Sequence, residues 1–264
     1  MINSATLPFL LKRLCLKNIR SSWEEMAQQA VKLNWTYPQY LAALCDKEVS
    51  IREQQRIQNH IREAKLPIGK TLDTFKFDKL ASVNAAQISA LAENTEWVAR
   101  AHNLIIFGPS GVGKTHLAAA IGRRLVERGM RVLFTKTTAL VQTLQLANNE
   151  HKLSELLIKL AKFQLLILDD IGYVKKNEAE TSVLFELIAD RYESQSLLIT
   201  SNQAFDQWDE IFQNSTMAVA AIDRLVHHST IININEPSYR RASKISDSNK
   251  YSSLYGDEKH AVSE

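Results

Sequence analysis

The chain has 264 residues and a formal net charge of +3, and 45% of its residues are hydrophobic while 23% are charged. This composition is typical of a folded globular protein and excludes collagen-like, low-complexity and wholly disordered chains. Two cysteines exclude a disulfide framework, and the lack of a basic leader or of an apolar run near ~20 residues predicts a cytoplasmic protein without membrane spans.

The N-terminal third carries the positive charge. Residues 1–70 contain eleven Lys and Arg against six Asp and Glu, and the rest of the chain sums to −2. Apolar residues recur at helical spacing through 1–66, where Arg52 and Arg56 share one helical face. We therefore expect residues 1–70 to form a helical domain that binds DNA or a partner protein, with both arginines at the DNA. A solvated helical face is the alternative.

The middle of the chain changes character twice. Residues 71–100 are predicted to be a linker followed by a helix over 85–100. Beyond residue 101, short apolar runs alternate with helical stretches such as 115–128, which Gly129 is placed to end. This alternation predicts an α/β fold with a doubly wound parallel sheet. The runs predicted to be buried strands are 104–107, 132–135, 165–168, 197–200 and 230–234. This domain is expected to end at residue 242, and the Ser-rich residues 243–264 are predicted to be a disordered polar tail.

A phosphate-binding loop is predicted directly after the first strand. The segment that fits the pattern G-x-x-x-x-G-K-[ST] is Gly108-Pro109-Ser110-Gly111-Val112-Gly113-Lys114-Thr115. Glycines let several N–H groups converge on a triphosphate, and the helix that follows adds the positive end of its dipole. We expect Lys114 to reach the β- and γ-phosphates and the Thr115 hydroxyl to bind Mg²⁺.

Two carboxylates, Asp169 and Asp170, end the third predicted strand. Ligands of open α/β sheets bind at the carboxyl ends of the strands. We therefore expect Asp169 to hold Mg²⁺ beside Thr115, and Asp170 to orient or deprotonate the attacking water. For each carboxylate the alternative is a helix N-cap or an acidic turn residue.

Taken together, the motifs resemble the IstB-type transposition helper ATPases, which are AAA+ proteins encoded beside an insertion-sequence transposase and relatives of DnaC-type helicase loaders and DnaA. The resemblance covers about residues 5–242. The segments that carry it are Gly-Pro-Ser-Gly-Val-Gly-Lys-Thr-His (108–116), Leu-Leu-Ile-Leu-Asp-Asp-Ile-Gly-Tyr (165–173), Leu-Leu-Ile-Thr-Ser-Asn (197–202), Ala-Ile-Asp-Arg-Leu-Val-His-His (221–228) and Pro-Ser-Tyr-Arg (237–240). It implies a P-loop NTPase (AAA+) sheet of five strands behind a small all-α domain, with ATP and Mg²⁺ as ligands.

The resemblance also implies roles for individual residues. Asn202 matches a sensor whose amide bonds the γ-phosphate or the attacking water, and the alternative is a turn-forming Asn. Arg224 matches a finger that stabilises the phosphoryl group on the neighbouring subunit's nucleotide, which implies a homo-oligomer. Arg240 matches a second sensor, with Arg241 as competitor, and His116 completes the nucleotide-binding motif.

Further residues lie at the edges of these motifs. Lys175 and Lys176 follow the acidic strand, where they are expected to touch DNA phosphates or to be solvated loop lysines. Arg224 has a surface pairing with Asp223 as its alternative role. The adjacent His227 and His228 have no further ligand cluster at metal-binding spacing, so no zinc site is expected there.

The expected function is an ATPase that binds DNA mainly through phosphates, assembles on it and assists a cognate transposase in target selection and transposition. Many AAA+ ATPases have Glu at the position of Asp170, whose side chain is shorter, so we expect slow hydrolysis stimulated by DNA or a partner. A DnaC-like helicase loader, a nucleotide-gated DNA-binding module without significant hydrolysis and a small-molecule kinase are the alternatives.

Overall fold

The structure is a computed structural model, and it describes residues 4–80, 82–172, 177–203, 207–208 and 215–238. The chain divides into two compact units between Asn59 and His60. The functional division at residues 70, 100 and 242 stays a prediction, and the predicted tail lies outside the described residues.

The first unit is helical, as expected. It contains α1 (Leu7–Arg13), α2 (Lys17–Lys32) and most of α3 (Tyr37–Glu63). The buried apolar residues that form its core are Leu11, Ile19, Met26 and Leu44. Around them lie partly buried side chains that include two tryptophans, Trp23 and Trp35.

A buried carboxylate, Glu48 of α3, fixes the start of α2. Its Oε2 accepts hydrogen bonds from the backbone N–H groups of Asn18 and Ile19, both at 2.9 Å, and its Oε1 accepts one from Nε of Arg52 at 2.7 Å. Burial by itself raises the pKa of Glu48. The hydrogen bonds and the arginine charge together lower the pKa by more than burial raises it, so the net pKa lies below its ordinary value. An ionised carboxylate thus caps the positive end of α2.

The second unit is built on a parallel sheet. Its strands are β1 (Asn103–Phe107), β2 (Val132–Lys136), β3 (Leu165–Asp169), β4 (Ser196–Ser201) and β5 (Ser229–Asn233). Their order is β2-β3-β4-β1-β5, and every neighbouring pair is parallel. The predicted doubly wound sheet is confirmed, and each strand begins and ends within one residue of its predicted bounds.

Helices cover both faces of the sheet. They are α4 (Ala85–Glu93), α5 (Glu96–Ala99), α6 (Lys114–Glu127), α7 (Thr137–Asn149), α8 (Leu153–Leu160), α9 (Glu178–Arg191) and α10 (Ser215–His227). Successive residues of β1 point to opposite faces: Leu104 and Ile106 join the core under α4 and α6, whereas Ile105 and Phe107 join the core under α7 to α10. Within the described residues, none of the helices is both long and apolar enough to cross a membrane.

The end of α6 and the helix before β1 test two local predictions. Gly129 follows α6 with φ +87°, and its N–H donates to the carbonyl of Val126, so the predicted glycine stop is confirmed. The single helix predicted over 85–100 is wrong, because the structure has α4 and α5 there. Asn94 separates them in an extended conformation and accepts a hydrogen bond from the Glu96 N–H at 2.8 Å.

Candidate nucleotide-binding site

The predicted phosphate loop joins β1, which pairs with β4 and β5, to the start of α6. A Cβ atom at Gly108 (φ +150°) would lie 2.5 Å from the carbonyl oxygen of Ile234, so only glycine fits. Gly113 is the N-cap of α6 and adopts φ +103°. Because the loop leads directly into α6, it lies at the positive end of the helix dipole. Gly113 has no side chain that could occupy the first N–H groups of the helix.

Lys114, the first residue of α6, is only 5% exposed. Its Nζ donates to the carbonyl oxygens of Gly108 at 2.7 Å and Pro109 at 3.0 Å. The loop therefore folds around an ammonium group, and an anion entering the loop would meet that charge together with the helix N-terminus.

Asp169, the last residue of β3, lies beside Thr115 as the sequence predicts. The Thr115 hydroxyl donates to Oδ2 of Asp169 at 3.2 Å, and the Thr200 hydroxyl donates to Oδ1 at 2.7 Å. Asp169 is 3% exposed. Burial raises its pKa, the two hydroxyl groups lower it and the charge of Asp170 raises it, so the net pKa lies above 3.8.

This donor set fits a hard divalent cation. Magnesium binds carboxylate and hydroxyl oxygens and keeps several waters, and Thr115 and Asp169 offer one oxygen of each kind at one place. A cation there would favour the ionised form of a carboxyl group that burial disfavours. The residues present therefore fit both a polyphosphate and Mg²⁺.

Asp170 adopts a left-handed backbone conformation, with φ +58°. Its N–H donates to the hydroxyl of Thr200 at 2.9 Å, and its side chain is half-buried. A non-glycine residue in this region is uncommon, and such conformations concentrate at functional sites. The next residue, Ile171, still donates its N–H to the carbonyl of Thr200 at 3.0 Å, so the turn stays beside β4.

Thr200 is the residue that the sequence analysis missed. It is fully buried in β4 and bonds both acidic residues, one through its donor and one through its acceptor. Thr200 directly follows the apolar run Leu197–Ile199 and precedes Ser201, so it is a polar residue where a buried strand is expected to continue with an apolar one. That signal was available, but the run alone does not reveal that β4 lies beside β3.

The end of β4 also borders the phosphate loop. The N–H of Gly108 donates to the carbonyl of Ser201 at 3.3 Å, and the Ser201 hydroxyl donates to the carbonyl of Gln203 at 2.7 Å. Asn202 lies between these two residues and is exposed. The predicted sensor thus follows the strand that touches both the loop and the acidic residues, while its role stays a prediction.

Residues 69–77, which we call the strap, are fastened to the phosphate loop and α6. Nε2 of His116 donates to the carbonyl of Thr71 at 2.9 Å and lies 3.2 Å from Oγ1 of Thr74. The ring of Phe75 stands edge-on to His116 at 5.2 Å and would lie 3.0 Å from a Cβ atom at Gly113. The sequence analysis predicted a linker here and gave no signal of this contact.

The strap also bears on the charges of the site. Lys70, half-buried at its start, lowers the pKa of Asp169 through its charge. Further along the strap, Asp73 lies 3.8 Å from a guanidinium nitrogen of Arg124 on α6. The strap thus contacts α6 at two places, His116 and Arg124.

Arg224, the predicted finger, contacts its own chain on α10 and α9. Its NH1 donates to the carbonyl of Ala220 at 3.0 Å, and its guanidinium carbon lies 5.0 Å from the centre of the Phe185 ring. The side chain is half-buried. The structure thus keeps Arg224 stacked on an aromatic face, and its action on a neighbouring nucleotide stays a prediction.

The remaining predicted residues divide into two groups. Arg52 is bonded to Glu48, and Arg56 lies 2.6 Å from Glu53, so both guanidinium groups of the predicted DNA face have carboxylate partners. The other predicted residues, which lie outside the described residues, are Lys175, Lys176, Arg240 and Arg241.

The chain is similar to insertion-sequence ATP-binding proteins. A family model described as IstB-like ATP binding protein matches residues 9–247. An insertion-sequence ATP-binding protein of Sinorhizobium fredii, y4iQ/y4nD/y4sD, is 50% identical over 242 residues, which cover 92% of this chain and 81% of the relative. The insertion sequence IS21 ATP-binding protein of Pseudomonas aeruginosa is 39% identical over 238 residues, or 90% and 89% of the two chains.

Solved structures share the fold of part of this chain. The DnaC helicase loader matches with a TM-score of 0.53 and 21% identity over 63% of this chain and 97% of that chain. AMPPCP-bound DnaA from Aquifex aeolicus matches with a TM-score of 0.54 and 21% identity over 71% and 56%. At these identities the likeness concerns the fold alone, and it confirms the expected P-loop AAA+ architecture.

Proposed function

The chain belongs to the family of IstB-like ATP binding proteins, and we propose that the site between its phosphate loop and the end of β3 binds ATP with Mg²⁺ and hydrolyses it. One observation carries the proposal. The hydroxyl of Thr115 bonds the buried carboxylate of Asp169 one residue after the ammonium group that the loop encloses. The groups that we propose for the phosphates and for the metal are thus neighbours within a single chain, which supports the proposal.

Each residue of the site has a chemical task in this proposal. Lys114 and the N-terminal N–H groups of α6 would hold the phosphates, while Thr115 and Asp169 would hold Mg²⁺. When bound, Mg²⁺ would offset part of the negative charge on the phosphate oxygens of ATP. Asp170 orients and deprotonates the attacking water, and the neutral amide of Asn202 hydrogen-bonds that water without adding charge.

Arg224 links hydrolysis to assembly. A guanidinium group is always charged and planar, so it stabilises a transferring phosphoryl group presented by another subunit. Its stacking on Phe185 keeps the group half-buried and oriented. Because the finger needs a neighbour's nucleotide, ATP would favour oligomers, and Arg240 would add a second contact to the nucleotide.

We further propose that the assembly forms on DNA and assists a cognate transposase. The net charge of +5 over residues 1–70 supports contact with phosphates, and the relatives described above are named insertion-sequence proteins. The DNA contacts would come from Lys175 and Lys176 and from Arg52 and Arg56 of α3. Arg56 would exchange its exposed partner Glu53 for a phosphate, whereas Arg52 would have to leave its buried partner Glu48.

The decisive experiment measures nucleotide binding, turnover and particle size in one preparation. The purified chain is titrated with fluorescent ATP in magnesium, and its size is followed by sedimentation with and without ATP and duplex DNA. We expect binding that needs magnesium, assembly that needs ATP, and slow turnover that DNA increases. DNA affinity should fall steeply with salt. Failure to bind any adenine nucleotide in magnesium would overturn the proposal.

Two further outcomes separate the alternatives. Binding and assembly without turnover, even with DNA and partner protein, and equally in the parent and Asp170→Asn, would identify a nucleotide-gated binding module. Stimulation of strand transfer by the transposase encoded beside the gene supports the transposition role, whereas loading of a replicative helicase onto DNA would contradict it.

A further inference from the structure

Two neighbouring histidines and a glutamate meet at the end of α10, where Arg224 lies about one helical turn before His227. His227 ends α10, His228 follows it, and their rings lie 4.0 Å apart. Nε2 of His228 lies 3.9 Å from Oε1 of Glu193, which lies in the turn after α9. One ligand atom from each of the three residues lies within 4.8 Å of the others, and all three side chains are exposed.

The backbones that carry these side chains are held in place. Glu193 has φ +56°, and the two N–H groups that follow it, of Ser194 and Gln195, donate to the carbonyl of Arg191 at 3.1 and 2.9 Å. The carbonyl of His228 accepts the N–H of Asn103 at 2.7 Å. A non-glycine residue in the left-handed region persists where the surrounding structure fixes it.

The buried side chain of Arg191 provides that fixation. Its guanidinium group donates to the carbonyl oxygens of Leu160, Phe163, Gln164 and Ser196. Burial lowers the pKa of Arg191 to about 10, so it remains charged at neutral pH. The turn that presents Glu193 is therefore anchored to the end of α8, to the segment before β3 and to the start of β4.

From this geometry we propose that Glu193, His227 and His228 form a binding site for a zinc-class transition-metal ion. Imidazole nitrogen and carboxylate oxygen are ligands that Zn²⁺ prefers, and three protein ligands with water in the fourth position are a common arrangement. Tetrahedral ligands at ~2.0–2.1 Å from zinc lie about 3.3–3.4 Å apart. The 3.9 Å between His228 and Glu193 therefore needs only a small side-chain rotation.

Tyr192 supplies the partner that orients a metal-binding histidine. Its hydroxyl lies 2.8 Å from Nδ1 of His227. With the proton on Nδ1 donated to the Tyr192 oxygen, Nε2 of His227 keeps a lone pair for the metal. Hydrogen bonds of this kind from a second residue fix the ring and tautomer of metal-binding histidines in many sites.

The test measures zinc binding to the full-length chain without an affinity tag, in buffer free of nucleotide and magnesium. Because the exposed Cys15 and Cys45 are themselves zinc ligands, both are replaced by serine. Zn²⁺ is titrated against a chromophoric chelator of known affinity. We expect one equivalent per chain, bound with micromolar affinity or tighter, and a higher apparent unfolding temperature with zinc than without it.

Single substitutions identify the ligands. His227→Ala, His228→Ala and Glu193→Gln should each weaken zinc binding at least about tenfold, and Tyr192→Phe should weaken it less. His151→Ala, which removes another exposed histidine, is the matched control and should bind like the parent. The side chains replaced at the two histidines, at Glu193 and at the control are exposed, and Tyr192→Phe keeps the half-buried ring, so all variants should unfold like the parent without zinc.

Either of two results would overturn the proposal: no stoichiometric zinc bound by the serine-substituted chain, or equal affinity in the parent and both histidine variants. Two variants let zinc binding and nucleotide binding fail separately. Lys114→Met should lose nucleotide and retain zinc, whereas His228→Ala should lose zinc and retain nucleotide.

Discussion

The acidic end of β3 and helix α10, which carries Arg224, differ in how much of their proposed chemistry a single chain can provide. Asp169 is buried and bonded by the hydroxyl groups of Thr115 and Thr200, so its oxygens are fixed before any ligand arrives. Arg224 is half-buried on Phe185 and hydrogen-bonds its own helix. The half of the site that we propose to bind the metal is thus preorganised within one chain, whereas the proposed finger would depend on a neighbouring subunit.

Removing the finger should have the largest effect. Arg224→Ala is expected to lower turnover by ~10³-fold in the presence of ATP and DNA, because the transferring phosphoryl group loses its guanidinium partner, while ATP affinity changes little. Steady-state phosphate release measures this. Arg100→Ala, which removes an exposed arginine in the same unit, is the control.

Mixing variants tests whether the finger acts between subunits. At ATP concentrations too low to saturate Lys114→Met, this variant and Arg224→Ala each have low turnover alone in the proposed mechanism, but a mixture forms some interfaces with an intact finger and an intact loop. We expect the mixture to recover part of the turnover. No recovery in mixtures that assemble normally would show that Arg224 does not act across subunits.

Removing the loop ammonium should come next. Lys114→Met is expected to weaken ATP binding by tens of fold, since a hydrogen bond to a charged group contributes about 1.5–3 kcal/mol. Fluorescence anisotropy of labelled ATP measures the affinity. Lys152→Met removes an exposed lysine paired with Glu150 and should bind ATP like the parent. Equal affinity of the two variants would contradict the assignment of the loop.

The buried threonine should matter for stability as well as for the site. Thr200→Val leaves Oδ1 of Asp169 and the N–H of Asp170 without their partner and should lower the free energy of unfolding by about 1–3 kcal/mol. Urea unfolding measures this. Thr200→Ser should retain most of the stability, and the exposed Thr143→Val should unfold like the parent. An unchanged unfolding midpoint in Thr200→Val would refute the described network.

The smallest effect has the opposite sign. Because burial raises the pKa of Asp169, its ionisation costs stability in the folded chain at neutral pH. Asp169→Asn should therefore stabilise the ligand-free chain by about 0.5–2 kcal/mol while losing the gain in stability that Mg²⁺ and ATP give the parent.

The pH dependence of that difference checks its cause. The advantage of Asp169→Asn should shrink as pH falls through the raised pKa and vanish below 3.8, where the carboxyl group is protonated in both folded and unfolded chains. Thermal unfolding across this range measures it. A difference that stays constant with pH would exclude ionisation as the cause.

Local features of this chain followed from the sequence. The strand bounds, the stop of α6 at Gly129 and the glycine-rich loop were predicted because periodicity, backbone freedom and dipoles are properties of a few adjacent residues. The adjacency of Thr115 and Asp169 was also predicted, since both follow strands of a parallel sheet. The break at Asn94 was missed, because a side chain that starts a new helix looks the same as one inside a longer helix.

The tertiary structure decided which distant side chains meet. Thr200 reaches Asp169 only because β4 lies beside β3, His116 bonds Thr71 only because the strap returns over α6, and the fold alone brings Glu193 to His228. Hydrophobic periodicity states which face of each strand is buried but not the order of the strands. The phosphate loop could therefore be predicted from adjacent residues, whereas the groups that surround it are set by the packing of the strands and of the strap.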